Sequence, residues 1–155
     1  METIGELLEH HDFFADLPAA DVHLIAGCGR NVVFEAGEYL FREGTPADSF
    51  FVVRHGRVAL EIFAPGRGPL VLDTVGPGEL VGISWLFPPY RWQFDGRAGA
   101  LTRAIALDGA CLRGKCEEDP RLGYELMKRF AQILQSRMHS ARLRLLDLYG
   151  HAGAG

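Results

Sequence analysis

The chain has 155 residues, 48% of them hydrophobic and 23% charged, with 16 Lys or Arg against 20 Asp or Glu for a formal net charge of -4. That is one domain's length with enough apolar side chains for a core, and the net acidity argues against a general nucleic-acid-binding surface. No apolar run approaches the roughly 20 residues of a membrane helix, and the start METIGELLEHHDFF is acidic where a secretory leader is basic and then apolar, so a cytoplasmic protein with no membrane partner is expected.

In IGELLEHHDFF, apolar residues at 4, 7, 8, 13 and 14 predict a short amphipathic helix and then a break. LPAADVHLIAGCGR reads as a second short helix, with Pro18 in its first turn and Gly27 or Gly29 at its end. From Asn31 the pattern changes to short Val-, Phe-, Leu- and Ile-rich runs, interrupted by EAGE, EGTPAD, RHGR, APGRGP and GPGE. This is the signature of an all-β sandwich or barrel. FFVVRHGRVALEIF reads as one hairpin, with Gly56 free to take a positive φ.

In VGISWLFPPYRW, Ser84 is placed to cap one helical turn that the two prolines stop. AGALTRAIALDG returns to strand, and Asp108 starts a short helix. Asp119-Pro120 opens a long helix that Gly150 and HAGAG end. The expected layout is one domain over 1–155: N-terminal helices in 1–30, a β-roll in 31–108 and C-terminal helices in 109–150.

Along the long helix, Leu122, Leu126, Phe130, Ile133, Leu134, Met138, Ala141, Leu145 and Leu148 form an apolar stripe. A small β domain covers only part of it. A second copy of the chain is the expected partner for the rest, giving a homodimer through 120–148, with packing on its own domain or on another protein as alternatives. Arg121, Lys128, Arg129, Arg137, Arg142 and Arg144 give this helix a basic face, read as solvated, with an acidic partner or nucleic acid as the alternative. Three cysteines, an odd number with no secretory context, fit reduced thiols. Cys111 and Cys116 stand about 140° apart around a helix axis, so no bridge or shared metal is expected between them.

The order Gly37-Glu38, then LFREG through Glu43-Gly44, Asp48, FFVVRHGRV with Gly56, and GPGELVG through Gly82 resembles the cyclic-nucleotide-binding domain. The flanking helices resemble it too, so the likeness runs from about Phe13 to Leu148. It implies a mainly β fold, a β-roll or jelly roll followed by a long C-terminal helix. It also implies a sensor role and a phosphate-binding cassette, whose backbone N–H groups at a short helix start hold the cyclic phosphate. The candidate ligand residues are Gly78, Glu79, Gly82, Ile83, Ser84, Trp85, Arg91, Trp92 and Arg97.

The cassette departs from the family pattern. The family Glu after the second Gly, which takes the ribose 2′-hydroxyl, is replaced by Ile83, and Trp92 falls where the phosphate-pairing Arg belongs. Arg91 replaces that Arg only if the frame slips by one. A charge-assisted hydrogen bond contributes about 1.5–3 kcal/mol, so cyclic AMP binding in the family manner is not expected. Three other readings stay open: Trp85, Phe87, Tyr90 and Trp92 line a pocket for another anionic or aromatic ligand; they fill the cavity; or they dock a protein. No cofactor is required, although a cyclic nucleotide or similar small ligand remains the alternative.

The resemblance also implies a helix-turn-helix after the long helix in transcription factors. None is read in this sequence, so no direct DNA binding is expected. A cupin-like metal enzyme would need clustered His and carboxylate ligands, and His10, His11, His23, His55, His139 and His151 form no such pair on a strand. The expected class is a non-enzymatic regulatory domain.

Overall fold

The computed structural model describes residues 3–153. Two four-stranded antiparallel sheets face each other. The strands are β1 (Gly29–Phe34), β2 (Tyr39–Phe41), β3 (Ser49–His55), β4 (Val58–Ala64), β5 (Gly68–Val75), β6 (Leu80–Val81), β7 (Asp95–Ala98) and β8 (Thr102–Asp108). One sheet runs β1-β8-β3-β6 and the other β2-β7-β4-β5. The mainly β class and the flanking helices are as expected.

Helices cover the outer face of the first sheet. α1 (Ile4–Glu9) starts at Thr3, whose hydroxyl accepts from the Glu6 N–H while the Glu6 carboxylate accepts from the Thr3 N–H. A 3-10 turn at Asp12–Phe14 follows, then α2 (Ala19–Ala26), α3 (Gly109–Glu118) and α4 (Pro120–Gly153). Asp108 caps α3 through the Cys111 N–H, and the Asp119 carboxylate accepts from the Leu122 N–H to start α4. The Arg121 guanidinium, 2.9 Å from the buried Asp21 carboxylate, ties α4 to α2.

The alternation of strand side chains builds two cores. On β3, Phe50 and Val52 point to the helical layer and Phe51 and Val53 to the space between the sheets. On β8, Ile105 and Leu107 do the first, and Ala104 and Ala106 the second. Bulky residues thus meet the helices, while Ala104 and Ala106 offer only methyl groups to the inter-sheet space.

Several sequence expectations need correction, among them Pro18, which caps α2 rather than standing in its first turn. β3 and β4 are not a hairpin: they belong to different sheets, and the chain turns a corner at Gly56, φ 87°. A Cβ there would stand 2.6 Å from the Thr102 hydroxyl, so the corner demands glycine. Ser84 is the first residue of its 3-10 turn (Ser84–Leu86) rather than the cap, a place held by Ile83. α4 passes through Gly150 and continues to Gly153, because one glycine in a long helix costs only about 1 kcal/mol. Finally, Cys28 and Cys111 are not free thiols but a disulfide, with Cα atoms 5.8 Å apart. The register Gly29↔Leu107 sets the end of α2 beside the start of α3, and the Asp108 N–H donates to the Cys28 carbonyl. Cys116 remains a thiol.

α4 carries two stripes rather than one. Leu122, Leu126 and Phe130 are buried in the helical core, with Ile133 half-buried against it. A second row, Met127, Ala131, Leu134, Met138, Ala141, Leu145 and Leu148, lies exposed along the adjoining flank, about a quarter turn round the axis.

Candidate functional site: the β-roll cassette

The residues from Gly78 to Arg97 do not converge on one space. Trp85, fully buried in its 3-10 turn, stacks on Phe50 at 5.2 Å and meets Phe130 edge-on at 5.8 Å, inside the helical core. Its carbonyl accepts from Arg113, whose guanidinium also lies 4.4 Å from the Tyr90 ring centroid. Ile83 packs against the same core, and Ser84 beside it is half-buried. Phe87 and Tyr90 are exposed.

Trp92 turns the other way, into the inter-sheet space. It stacks on Phe41 with ring centroids 3.7 Å apart and planes within 10°. Both ends of this pair rest on glycine. A Cβ on Gly82, at φ 105°, would stand 2.7 Å from the Trp92 ring; one on Gly96 would stand 2.5 Å from the Phe41 ring. The order Gly82, Trp92, Phe41, Gly96 crosses from the end of the first sheet to β7 of the second. Sheets pack about 10 Å apart, so two stacked rings occupy that gap. Val53, Leu60, Val75 and Ala106 surround them.

Neither arginine reaches this space. Arg91, exposed, donates to the Gly44 carbonyl at 2.8 Å. Arg97 donates to the buried Glu61 carboxylate at 2.9 Å, and β7 points its neighbours Gly96 and Ala98 inward instead. Gly78, φ 86°, and the exposed Glu79 form the β5–β6 turn, where the Gly78 N–H and the Glu79 carbonyl bond the Val53 backbone.

An open concavity lies elsewhere, between α4, the β5–β6 turn and the segment His11–Phe13, with a volume of about 560 Å3. Of the candidate residues only Gly78 and Glu79 border it; Arg129 and Arg137 of α4 do as well. The sequence reading treated those two arginines as part of a solvated basic face. The available signal was their spacing of eight, which repeats one helix face. Among the described residues, no group of three or more His, Cys, Asp or Glu is placed to hold a metal ion, and no helix is long and apolar enough to cross a membrane.

Residues 31–119 match the family model for the cyclic nucleotide-binding domain. A CRP-like cAMP-activated global transcriptional regulator of Mycobacterium tuberculosis is 23% identical over 145 residues, covering 94% of this chain and 63% of that protein. A protein of Rhodopseudomonas palustris provisionally named a potassium channel is 27% identical over 140 residues, covering 90% of this chain and 32% of its own length. The chain thus spans less than two thirds of either relative. Among solved structures, one provisionally named a cyclic nucleotide-binding protein, from Geobacter metallireducens, superimposes with a TM-score of 0.79 at 29% identity, covering 90% of this chain and all of its own. The catabolite activator protein of Thermus thermophilus gives 0.69 at 24% identity over 88% of this chain and 62% of its own, a likeness of fold. With the roll, the long helix and the glycine turns in place, the chain belongs to the cyclic nucleotide-binding domain family.

Proposed function

We propose that this chain is a non-enzymatic regulatory domain that does not bind cyclic AMP in its family's manner, because its own side chains occupy the inter-sheet space. The stack of Trp92 on Phe41, seated on Gly82, carries this reading. A nucleotide entering there must expel the indole, and removing a buried aromatic costs about 3–5 kcal/mol. The missing guanidinium forfeits about 1.5–3 kcal/mol more. A micromolar interaction, about -8.2 kcal/mol, would fall to millimolar or weaker.

Calorimetric titration of the purified protein with cyclic AMP, then cyclic GMP, to millimolar ligand is expected to give no saturable heat. A Kd tighter than about 10 µM, near -7 kcal/mol, would overturn the reading. It would also mean that the Trp92 ring moves aside with little penalty.

The reading includes a homodimer through α4. Met127, Ala131, Leu134, Met138, Ala141, Leu145 and Leu148 follow one another at steps of four and three. That 3.5-residue repeat is the seam of a two-stranded coiled coil. It also includes residence in the cytoplasm. In that reducing compartment the Cys28–Cys111 bond forms only under oxidising conditions.

A further inference from the structure

With the roll filled, the cavity beside α4 offers room for a small molecule. Its volume of about 560 Å3 falls within the roughly 300–1,000 Å3 of small-molecule sites. One wall is a single face of α4, where Arg129, Ile133, Ser136, Arg137 and Ser140 recur at steps of three, four and one. The facing wall is the end of β5 and the β5–β6 turn, with Asp73, Glu79 and Leu80.

The two walls carry opposite charges that are only partly paired with each other. Arg137 donates to the Leu80 carbonyl and, among the described residues, pairs with no carboxylate. Arg129, with its side chain 18% exposed, donates to the Phe13 carbonyl at 2.9 Å and approaches Glu125 only at 4.0 Å. Opposite, Asp12 and Glu79 stand in no ion pair among the described residues, and Asp73 meets Arg144 only at 4.0 Å. Phe13, Leu80 and Ile133 add an apolar surface.

A multiply charged anion entering this cavity meets three carboxylates. A cation meets two guanidinium groups. A neutral apolar molecule leaves both sets unmatched and strips water from them. A molecule with one charge of each sign and an apolar body satisfies all three surfaces. We infer that the cavity between α4 and the β5–β6 turn is a binding site for a free amino acid with an apolar side chain. Its carboxylate is held by Arg137 and the neighbouring serine hydroxyls, and its ammonium by the carboxylates of the facing wall. Such a ligand bridges α4 to the roll, so it favours whichever α4 position closes the two walls on it. The inference does not depend on whether the roll binds a nucleotide.

The test is calorimetric titration of the full chain with leucine and with phenylalanine, each to millimolar concentration, and with acetate and butylamine as single-charge controls. Saturable heat is expected from at least one amino acid, with both controls at least about tenfold weaker, the equivalent of one lost charge-assisted bond. Arg137→Gln should weaken the binding by about 10- to 100-fold. Ser136→Phe, at an exposed helix position, should abolish it by filling the cavity without disturbing the fold. No heat from either amino acid, equal binding of acetate, or unchanged binding by both variants overturns the inference. Repeating the leucine or phenylalanine titration with millimolar cyclic AMP present separates the two sites: unchanged heat supports distinct sites, and loss of the heat through competition overturns them.

Discussion

Trp92 decides what the inter-sheet space contains. Truncating it to alanine removes a ring packed between Phe41 and Gly82. The expected loss is about 3–5 kcal/mol in chemical denaturation; a loss under about 1 kcal/mol would mean that the ring is not holding the two sheets together. Part of this was readable beforehand. Family spacing set Trp92 at the phosphate partner's position, and strand parity sets residues 91 and 97 on the face opposite residue 92. The direction of that face was not readable, because it depends on pairing with β4, 36 residues away at Arg97 and Glu61.

His11 gives a second residue-scale prediction. Burial lowers its imidazole from the ordinary 6.5, with the Gly78 backbone and the Asp12 charge pulling the other way. A lowered histidine folds in its neutral form, while the unfolded chain takes up the proton first as pH falls. Its contribution to stability is therefore complete above 6.5 and declines as pH drops through 6.5 toward the lowered value. Thermal midpoints measured across that window should fall less in His11→Asn than in the parent. The asparagine oxygen keeps an acceptor for the Phe13 N–H that the imidazole Nδ1 now receives. Equal slopes would show that His11 does not carry the effect.

Among the elements, the joint between α2 and α3 was the least legible. Local rules located both helices, the Asp108 and Asp119 starts and the Gly27 end. They could not pair Cys28 with Cys111, which are brought together by the register of β1 on β8 across a separation of 83 residues. The hairpin expected at Gly56 failed for a related reason: alternation and a turn glycine identify two strands and a reversal, but not which sheet each strand joins. Thiol titration of the oxidised chain, unfolded without reductant, should find one reactive group, Cys116. In the folded chain Cys116 should react slowly near neutrality, since burial and the charges of Asp119 and Glu117 push its thiol up. Closing a loop of this length constrains the unfolded chain by about 4–5 kcal/mol in the loop-entropy model, so reduction should lower the thermal midpoint. Three reactive thiols in the unreduced chain would remove the bond from the account.

For the whole molecule, the feature that sets its behaviour is a helix about 50 Å long attached to a domain that covers only one of its faces. Apolar periodicity along α4 was legible from the start. Its division into two stripes was not, because Ile133 and Leu134 are neighbours that face different surroundings. Light scattering should give a dimer for the parent. Leu134→Glu combined with Met138→Glu should give a folded monomer, since neither side chain belongs to the core. A parent that is monomeric at micromolar concentration, or a double variant that still dimerises, removes α4 as the contact.

The missing Cβ at Gly82 has a wider meaning. A slot without a side chain leaves room for either an aromatic ring or an anion, because it supplies space rather than a side-chain group of its own. The backbone of this fold can therefore stay as it is while its occupant changes from a diffusing signal to a tethered side chain. Exchanges at residues 83 and 92, the two places where this cassette departs from the family pattern, would then turn a receptor into a module permanently loaded with part of itself.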